Sequence, residues 1–416
     1  MISGLTALSL LVLLRAPATQ GTRPAVVLCR YAALRDALVL QADAFSGRGA
    51  TAIFERFTRG NGIAFSEGPR WPTLRHFALG ALKEFGLGTR SVEECVLEEA
   101  ACLLGEFQAT GDTAWKKRGT SVGVDAGAPF NPRQLLDNAV SNVICSVVFG
   151  NHYGYEDMEF LRLLDLFNYN FCIMSSRCTF SPPSWTGSQA HITEYSETSL
   201  RVFLSQQMQL HQQTRQPGKP HYFIHSFLDQ IDKVQGPAAL NSSPAAHQQA
   251  PGTQQHLSSV PTGTENPESH FQAEMLVMTT HNLFFGGTEI TGTTLRYGLL
   301  ILLKYAEVLS PGKVPAELDG VAGRMRAQTL EDREYPLCTN TVLHEIQRFI
   351  SVVSFGLPRK RMCLGAGLAP TEIFLTSILL RFFLLPVGSH SDTDLTPQCT
   401  GPGNVPPAFQ LRLVAH

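Results

Sequence analysis

The chain has 416 residues, and its 33 lysine and arginine residues against 35 aspartate and glutamate residues give a formal net charge of −2. Nucleic-acid binding needs a surplus of cations to neutralise phosphates, so this balance argues against nucleic acid as the main partner. Charged residues make up 16% and hydrophobic residues 44%, whereas a typical soluble domain is about 25% charged. These values exclude a wholly disordered chain, a collagen and a small disulfide-stapled scaffold.

An apolar run lies near the N-terminus, where residues 5–14 read LTALSLLVLL and are followed by Arg15. Its ten residues fall short of the roughly 20 that span a bilayer. Three interpretations fit this length: the core of a signal peptide, the stump of a longer membrane anchor, or an ordinary buried segment. We treat residues 1–29 as a truncated hydrophobic segment and joint, and residues 30–416 as one domain.

The composition changes between residues 236 and 269, where Pro, Ser, Gln, Ala and His dominate and large apolar residues are almost absent. Such a composition cannot bury enough apolar surface to offset the entropy of ordering the chain. The stretch therefore predicts a disordered surface insert at about 236–269.

Most of the remaining sequence predicts helices. Ser91 to Glu94 form a capping box before apolar residues at helical spacing. Pro132 suits the first turn of a second apolar helix that ends at Gly150. Short strands are predicted near residues 25–28 and at the C-terminus, where Phe409, Leu411 and Leu413 alternate with polar residues. The expected fold class is mainly α, a predominantly helical α+β globule.

The longest helical pattern begins at the capping box Ser269 to Gln272 and continues to about Tyr305. Gly286 and Gly287 lie in its middle and are followed by Glu289, although each glycine inside a helix costs about 1 kcal/mol relative to alanine. Paired glycines before a carboxylate indicate a backbone that is opened or closely approached by a ligand. The alternative is tight helix packing with a solvated glutamate.

Two charged or aromatic pairs lie at helical spacing elsewhere. Glu345 and Arg348 are three residues apart on an amphipathic helix, so they can pair; on a surface such a pair contributes less than about 1 kcal/mol. Trp71 and Arg75 are four residues apart on a helix that should begin near Pro72. Both are pure donors and suit an anionic group, while the alternative is packing with a cation–π contact.

Cys363 is distinguished from the other eight cysteines by its neighbours. It follows the cationic run 359–361, is followed by glycines, and precedes a predicted apolar helix over 370–384. Nearby positive charge and a helix N-terminus lower a thiol's pKa, which produces a thiolate able to ligate a metal or attack an electrophile. Glycines allow a bulky group to approach the sulfur.

Taken together, these stretches resemble the cytochrome P-450 haem-thiolate monooxygenases, specifically the family 2 microsomal type. The resemblance extends from about Arg30 to the C-terminus, and the motifs occur in the family's order. They are FSGRG (45–49), GNGIAFSEGPRW (60–71), AVSNVICSVVFG (139–150), FFGGTE (284–289), HEIQRF (344–349), RMCLGAGLA (361–369) and DLTPQCTGPGNVPPAFQLRL (394–413).

The resemblance implies a P-450 fold and a haem b cofactor, iron protoporphyrin IX. Cys363 would be the axial thiolate ligand, and therefore the metal ligand, of the haem iron. Trp71, Arg75 and Arg361 would hold the haem propionates, and Gly287 would lie among the cofactor-binding residues.

The resemblance also assigns the pocket and the supporting pair. Glu289 would be the acidic catalytic residue of the oxygen-activation motif, and Thr291, the next residue after Ile290, would be a second catalytic residue. Glu345 and Arg348 would be the structural pair behind the haem. The substrate-binding residues would be Asn282, Phe285, Gly286 and Ile290.

The function implied is insertion of one oxygen atom from O2 into a hydrophobic small molecule, a xenobiotic or a lipid. Electrons would come from an NADPH-dependent cytochrome reductase, with cytochrome b5 as a further candidate donor. The implied location is the cytoplasmic face of the endoplasmic reticulum membrane, with no nucleic acid as partner.

The sequence departs from the family pattern in three places. The family normally carries Thr directly after the acidic residue of the long helix, where this chain has Ile290, which cannot donate a proton. Between Arg348 and Cys363 the strands, the meander and the Phe-x-x-Gly part of the haem loop are absent. The proline-rich hinge, first helix and strands expected before Arg30 are also absent.

These in-phase losses predict an incomplete P-450 fold in which part of the sheet region and the meander are missing. The leading hypothesis is a haem-dependent monooxygenase with uncoupled turnover. The alternative is a truncated, catalytically impaired or inactive relative that binds haem weakly or not at all.

Overall fold

The computed structural model describes most of the chain in separate stretches. They are residues 18–20, 23–25, 30–41, 44, 57–85, 90–116, 128–174, 187–235, 270–309, 314–323, 329, 332, 337–350, 352, 368–400 and 403–415. The predicted insert at 236–269 and the apolar run at 5–14 lie outside these residues, so both remain predictions, as does the domain division at residue 30.

The described residues form a mainly helical fold, as predicted. The helices are α1 (Tyr31–Arg35), α2 (Arg70–Glu84), α3 (Arg90–Lys116), α4 (Arg133–Val148), α5 (Met158–Met174), α6 (Gly187–Thr214), α7 (Phe223–Gln235), α8 (Ala273–Lys304), α9 (Val314–Ala322), α10 (Leu337–Ile350) and α11 (Leu368–Arg381). A π-helical turn follows α1 at Asp36–Leu40, and short 3-10 turns cover Ala306–Leu309 and His390–Asp392.

Strands occur as three antiparallel pairs. They are β1 (Ala18–Gln20) with β2 (Arg23–Ala25), β3 (Phe382–Pro386) with β6 (Leu411–Ala415), and β4 (Cys399–Thr400) with β5 (Asn404–Val405). In the longest pair, Leu384 lies opposite Leu413. Phe130, which precedes α4, exchanges backbone hydrogen bonds of 3.0 Å with Leu411 and joins this ladder to the helices.

Helix α8 runs through the centre of the molecule and packs against α4, α11 and α10, with further contacts to α5, α6 and α7. All ten residues from 291 to 300 are buried. The burial is possible because other helices surround this stretch and because its one charged residue, Arg296, donates to the Gly292 carbonyl and the Thr293 hydroxyl. The predicted end at Tyr305 is confirmed as the C-cap residue. The predicted capping box was wrong, because the helix begins at Ala273 after an extended Gln272 that makes no side-chain cap.

The apolar helix predicted after Pro132 is confirmed as α4. Pro132 is the residue before its first turn, and the left-handed Gly150, with φ +70°, follows its end. The helix buries Leu136, Val140 and Val143 against α8 and α3. The prediction at Ser91 is close, since α3 begins at Arg90, although the side chains of residues 91 and 92 lie outside the described set.

Three other predicted boundaries differ from the structure. The helix expected over 370–384 ends at Arg381, because Phe382–Pro386 pair as β3 with β6. The C-terminal strand begins at Leu411 rather than Phe409, after an irregular stretch that contains two prolines. The strand expected at 25–28 is found at Arg23–Ala25, beyond which residues 26–29 are not described.

Among the described residues, no helix combines the length and the apolar character needed to cross a bilayer.

Candidate functional site

The two glycines in the middle of α8 face different surroundings. A Cβ atom built at Gly286 would have no heavy atom within 4 Å, and this residue is exposed. A Cβ atom built at Gly287 would lie 2.3 Å from Cδ1 of Ile144 on α4. Gly287 therefore lets α8 and α4 approach closely, as expected if the glycines serve tight helix packing. Gly286 instead leaves one side of α8 open. Contact of Gly287 with a cofactor remains a prediction.

Glu289 lies one turn after this opening and is buried, so the expectation of a solvated glutamate was wrong. Its Oε1 atom has no hydrogen-bond partner among the described residues. Burial and the nearby Asp137 carboxylate raise the pKa of Glu289 to about 8, against a smaller opposing effect of Arg296. A carboxyl group in this state holds a proton at neutral pH and can donate it.

Asp137 on α4 is the second carboxylate of this region, and the sequence analysis missed it. Its Oδ2 atom accepts a hydrogen bond of 3.2 Å from Asn168 and lies 3.6 Å from the Arg133 guanidinium. Its Oδ1 atom is 3.8 Å from Nε of Arg296. The signal in the sequence was an aspartate between Leu136 and Ala139, inside an apolar helical repeat. An acidic residue at such a position indicates a buried charge, and a buried charge must be paired.

The residues that follow Glu289 present different chemistry. Ile290 is half-buried, and Thr291 is buried with no hydrogen-bond partner for its hydroxyl among the described residues. Thr288 instead accepts a hydrogen bond of 3.1 Å from the Ser141 hydroxyl on α4. Glu289 and Thr291 are thus two buried polar groups that retain unused hydrogen-bonding capacity.

The predicted substrate-binding residues before the glycines lie beside an aromatic group. Phe285 stacks on His281 with ring centroids 6.1 Å apart and contacts Phe171 of α5 at 5.7 Å. The Asn282 amide oxygen accepts a hydrogen bond of 3.0 Å from the Ala64 backbone N–H, so this part of the side chain holds the segment before α2. The substrate roles of these residues remain predictions.

Trp71 and Arg75 lie together on α2, whose first residue is Arg70. The guanidinium carbon of Arg75 is 5.6 Å from the Trp71 ring centroid, which is the predicted cation–π contact. Both side chains are half-buried. Two donor groups on one helix face suit an anion, and that role remains a prediction.

Glu345 and Arg348 pair on α10 as predicted. Nε and one terminal nitrogen of Arg348 donate to the two oxygens of Glu345 at 2.7 and 2.6 Å. This pair lowers the pKa of Glu345, mainly through the hydrogen bond. Both side chains are more than half exposed, so the structural role of the pair behind a haem stays a prediction. Cys363 and Arg361 lie outside the described residues.

Comparison with known proteins identifies the class. The Cytochrome P450 family model matches residues 18–360 of the chain. Cytochrome P450 2F2 of Mus musculus is 34% identical, with 94% of this chain and 85% of the relative covered. Cytochrome P450 2B4 of Oryctolagus cuniculus is 33% identical, with 95% of this chain and 86% of the relative covered.

The chain belongs to the cytochrome P450 family, and its relatives are of the family 2 microsomal type. It is a haem-dependent monooxygenase by family, with haem b as cofactor. The alignment with the mouse relative is 462 positions long, more than the 416 residues of this chain, so it includes stretches of the relative that this chain lacks.

The described residues include groups whose chemistry suits a haem, and their place in a haem site remains a prediction. At Gly286 the central helix has an open side in which a Cβ atom would meet nothing, and a flat apolar ring can approach such a backbone. Glu289 and Thr291 add two buried polar atoms without partners, close in sequence to that opening. Trp71 and Arg75 add the donors that propionate groups need.

Proposed function

We propose that this chain is a microsomal monooxygenase of hydrophobic small molecules, acting at the cytoplasmic face of the endoplasmic reticulum membrane. The observation that supports it most directly is the open side of α8 at Gly286, with the buried Glu289 one turn away in sequence. The family assignment supplies the haem chemistry, and no specific observation favours the alternative of an inactive relative.

The proposed haem-binding residues come from both ends of the domain 30–416. Cys363 supplies the thiolate ligand of the iron, and Arg361, Trp71 and Arg75 donate to the propionates. When bound, haem with a thiolate ligand activates O2, so that one oxygen atom enters the substrate and the other leaves as water.

Glu289 and Thr291 are the residues proposed to handle protons. Because burial raises the pKa of the Glu289 carboxyl to about 8, this side chain holds a proton near neutral pH that it can donate during turnover. Ile290 stands where the family normally has the threonine that assists this transfer, and a hydrocarbon side chain cannot relay a proton. We therefore propose that turnover is poorly coupled and releases peroxide.

The proposed substrate site lies along the same side of α8. Phe285 and Ile290 contribute apolar surface, Gly286 contributes space, and Asn282 contributes an amide at the edge. Such a lining favours an apolar molecule with few polar groups, a xenobiotic or a lipid.

We further propose an NADPH-cytochrome reductase as the electron donor, with cytochrome b5 as a second donor. The microsomal relatives support the reductase and the membrane location in general terms.

The reduced, carbon-monoxide-bound spectrum of the full chain expressed with added hemin tests this proposal. A thiolate-type Soret band is expected, and Cys363→Ala should abolish it. Cys172→Ala is the matched control, because Cys172 is a half-buried cysteine on α5, and it should retain the band. A colourless wild-type protein, or a band that survives in the Cys363 variant, would contradict the assignment.

A further inference from the structure

A second cluster of ionisable side chains lies where α3 meets the segment that follows α4. Glu99 and Cys102 are three residues apart on α3 and therefore neighbours on its surface. His152 follows the end of α4 at Gly150. A carboxylate oxygen, the Cys102 sulfur and an imidazole nitrogen all lie within 4.8 Å of one another. These three groups are ligands that Zn2+ commonly takes in proteins.

The Glu99 carboxylate is held in a fixed orientation. Its side chain is only 3% exposed. Its Oε1 atom accepts hydrogen bonds from the Tyr155 hydroxyl at 2.6 Å and from the Asn142 amide at 3.3 Å. Its Oε2 atom faces Nε2 of His152 at 2.5 Å. Such outer hydrogen bonds orient a metal-binding carboxylate and tune its basicity.

The other two ligands are accessible from solvent. The His152 side chain is 53% exposed, and Cys102 is exposed as well. An ion can therefore enter from water, and a water molecule can complete the coordination. Three protein ligands with one open position is the arrangement of zinc sites that keep a bound water molecule.

The charge around Cys102 favours a divalent cation. Burial raises the pKa of the Cys102 thiol, and the carboxylates of Glu99, Glu98 and Glu106 raise it further. Negative charge that opposes thiolate formation also attracts a cation. Metal binding must then release the thiol proton, so the affinity should increase with pH.

We propose that Glu99, Cys102 and His152 form a Zn2+ site separate from the haem region, with water as the fourth ligand. Tetrahedral bonds of about 2.0–2.3 Å place ligand atoms about 3.3–3.6 Å apart. The ion would replace the proton between Glu99 and His152, whose atoms must separate from 2.5 Å. The exposed imidazole has room for that movement.

Isothermal titration of the chelator-treated, haem-loaded full chain with zinc chloride tests the site. We expect one Zn2+ per chain, with an affinity that is reduced about 10-fold or more in Cys102→Ser and in His152→Gln. Glutamine keeps a hydrogen-bond donor toward Glu99, so this variant separates ligation from folding. Cys95→Ser, on the same helix but outside the cluster, is the matched control and should bind as the wild type does.

The orientation of Glu99 and the released proton give two further measurements. Tyr155→Phe removes the hydroxyl that orients the carboxylate and should weaken binding by about 10-fold. Titration in buffers of different ionisation enthalpy should show proton release on binding. Wild-type affinity in both Cys102→Ser and His152→Gln, or an equal loss in Cys95→Ser, would overturn the site.

Discussion

Replacement of Glu289 by glutamine should remove a pH-dependent loss of stability. Burial and the Asp137 carboxylate raise the pKa of Glu289 from 4.5 to about 8 in the folded protein. Between these values the folded state binds a proton that the unfolded chain releases, so the free energy of unfolding falls as pH rises. Glutamine has nearly the same shape as the protonated side chain and does not ionise.

The size of this effect follows from the interval between the two pKa values. One pH unit corresponds to about 1.4 kcal/mol, so the interval from 4.5 to about 8 sets an upper limit of about 5 kcal/mol. Because Arg296 and Arg133 oppose the shift, we expect about 2–4 kcal/mol. At a typical unfolding entropy of about 2 cal/mol/K per residue, this corresponds to roughly 2–5 °C in melting temperature for a chain of 416 residues.

Thermal unfolding followed by circular dichroism between about pH 5 and about pH 9 measures the effect. The melting temperature of Glu289→Gln minus that of the wild type should increase from about pH 5 to about pH 8 and level off above that. Glu345→Gln is the control, because the pKa of this exposed glutamate is lowered and its contribution is constant there. A pH-independent difference between Glu289→Gln and the wild type would refute a protonated Glu289.

Five further substitutions, in two matched pairs and one single variant, test other parts of the structure. Gly287→Ala should destabilise the fold by about 1–2 kcal/mol, because overpacking against Ile144 outweighs the gain in helix propensity. Gly286→Ala places its methyl group in open space and should stabilise the fold by up to about 1 kcal/mol. Equal melting temperatures of the two variants would contradict this difference. Arg215 is buried and pairs with the half-buried Asp229 and Asp232 of α7, so Arg215→Ala should destabilise the fold by about 2 kcal/mol in chemical unfolding, whereas Arg348→Ala, at an exposed pair, should have little effect. Ile290→Thr should lower the peroxide released per NADPH consumed, and an unchanged ratio would count against the proposed defect in proton transfer.

The sequence predicts the helices well wherever their burial is continuous. The end of α8 at Tyr305, the placement of α4 between Pro132 and Gly150, and the pair formed by Glu345 and Arg348 depend only on local spacing. Boundaries fail where a distant segment decides the outcome. Residues 382–384 continue the apolar pattern of α11, yet they form a strand because β6 supplies the hydrogen-bonding partner.

The site is less accessible to sequence reasoning, because proximity between helices is not encoded in spacing along the chain. Asp137 reaches the region of Glu289 only because α4 packs on α8. The cluster of Glu99, Cys102 and His152 has no zinc-binding spacing in sequence, and it forms when the segment after α4 returns to α3. Motif resemblance indicates candidate functional residues, whereas the fold determines which side chains lie close enough to interact electrostatically or to bind one ion together.

The burial of residues 291–300 on every side of α8 has a consequence for hydrogen exchange. Amide protons in this stretch can meet solvent only when the surrounding helices separate, so their exchange rates should report the global unfolding free energy. The short helix α1 buries no residue, and its amides should exchange through local fraying. Deuterium uptake along the chain should thus span nearly the full range of opening free energies. The slowest amide protons should be those of residues 291–300, which follow Gly286 and Gly287.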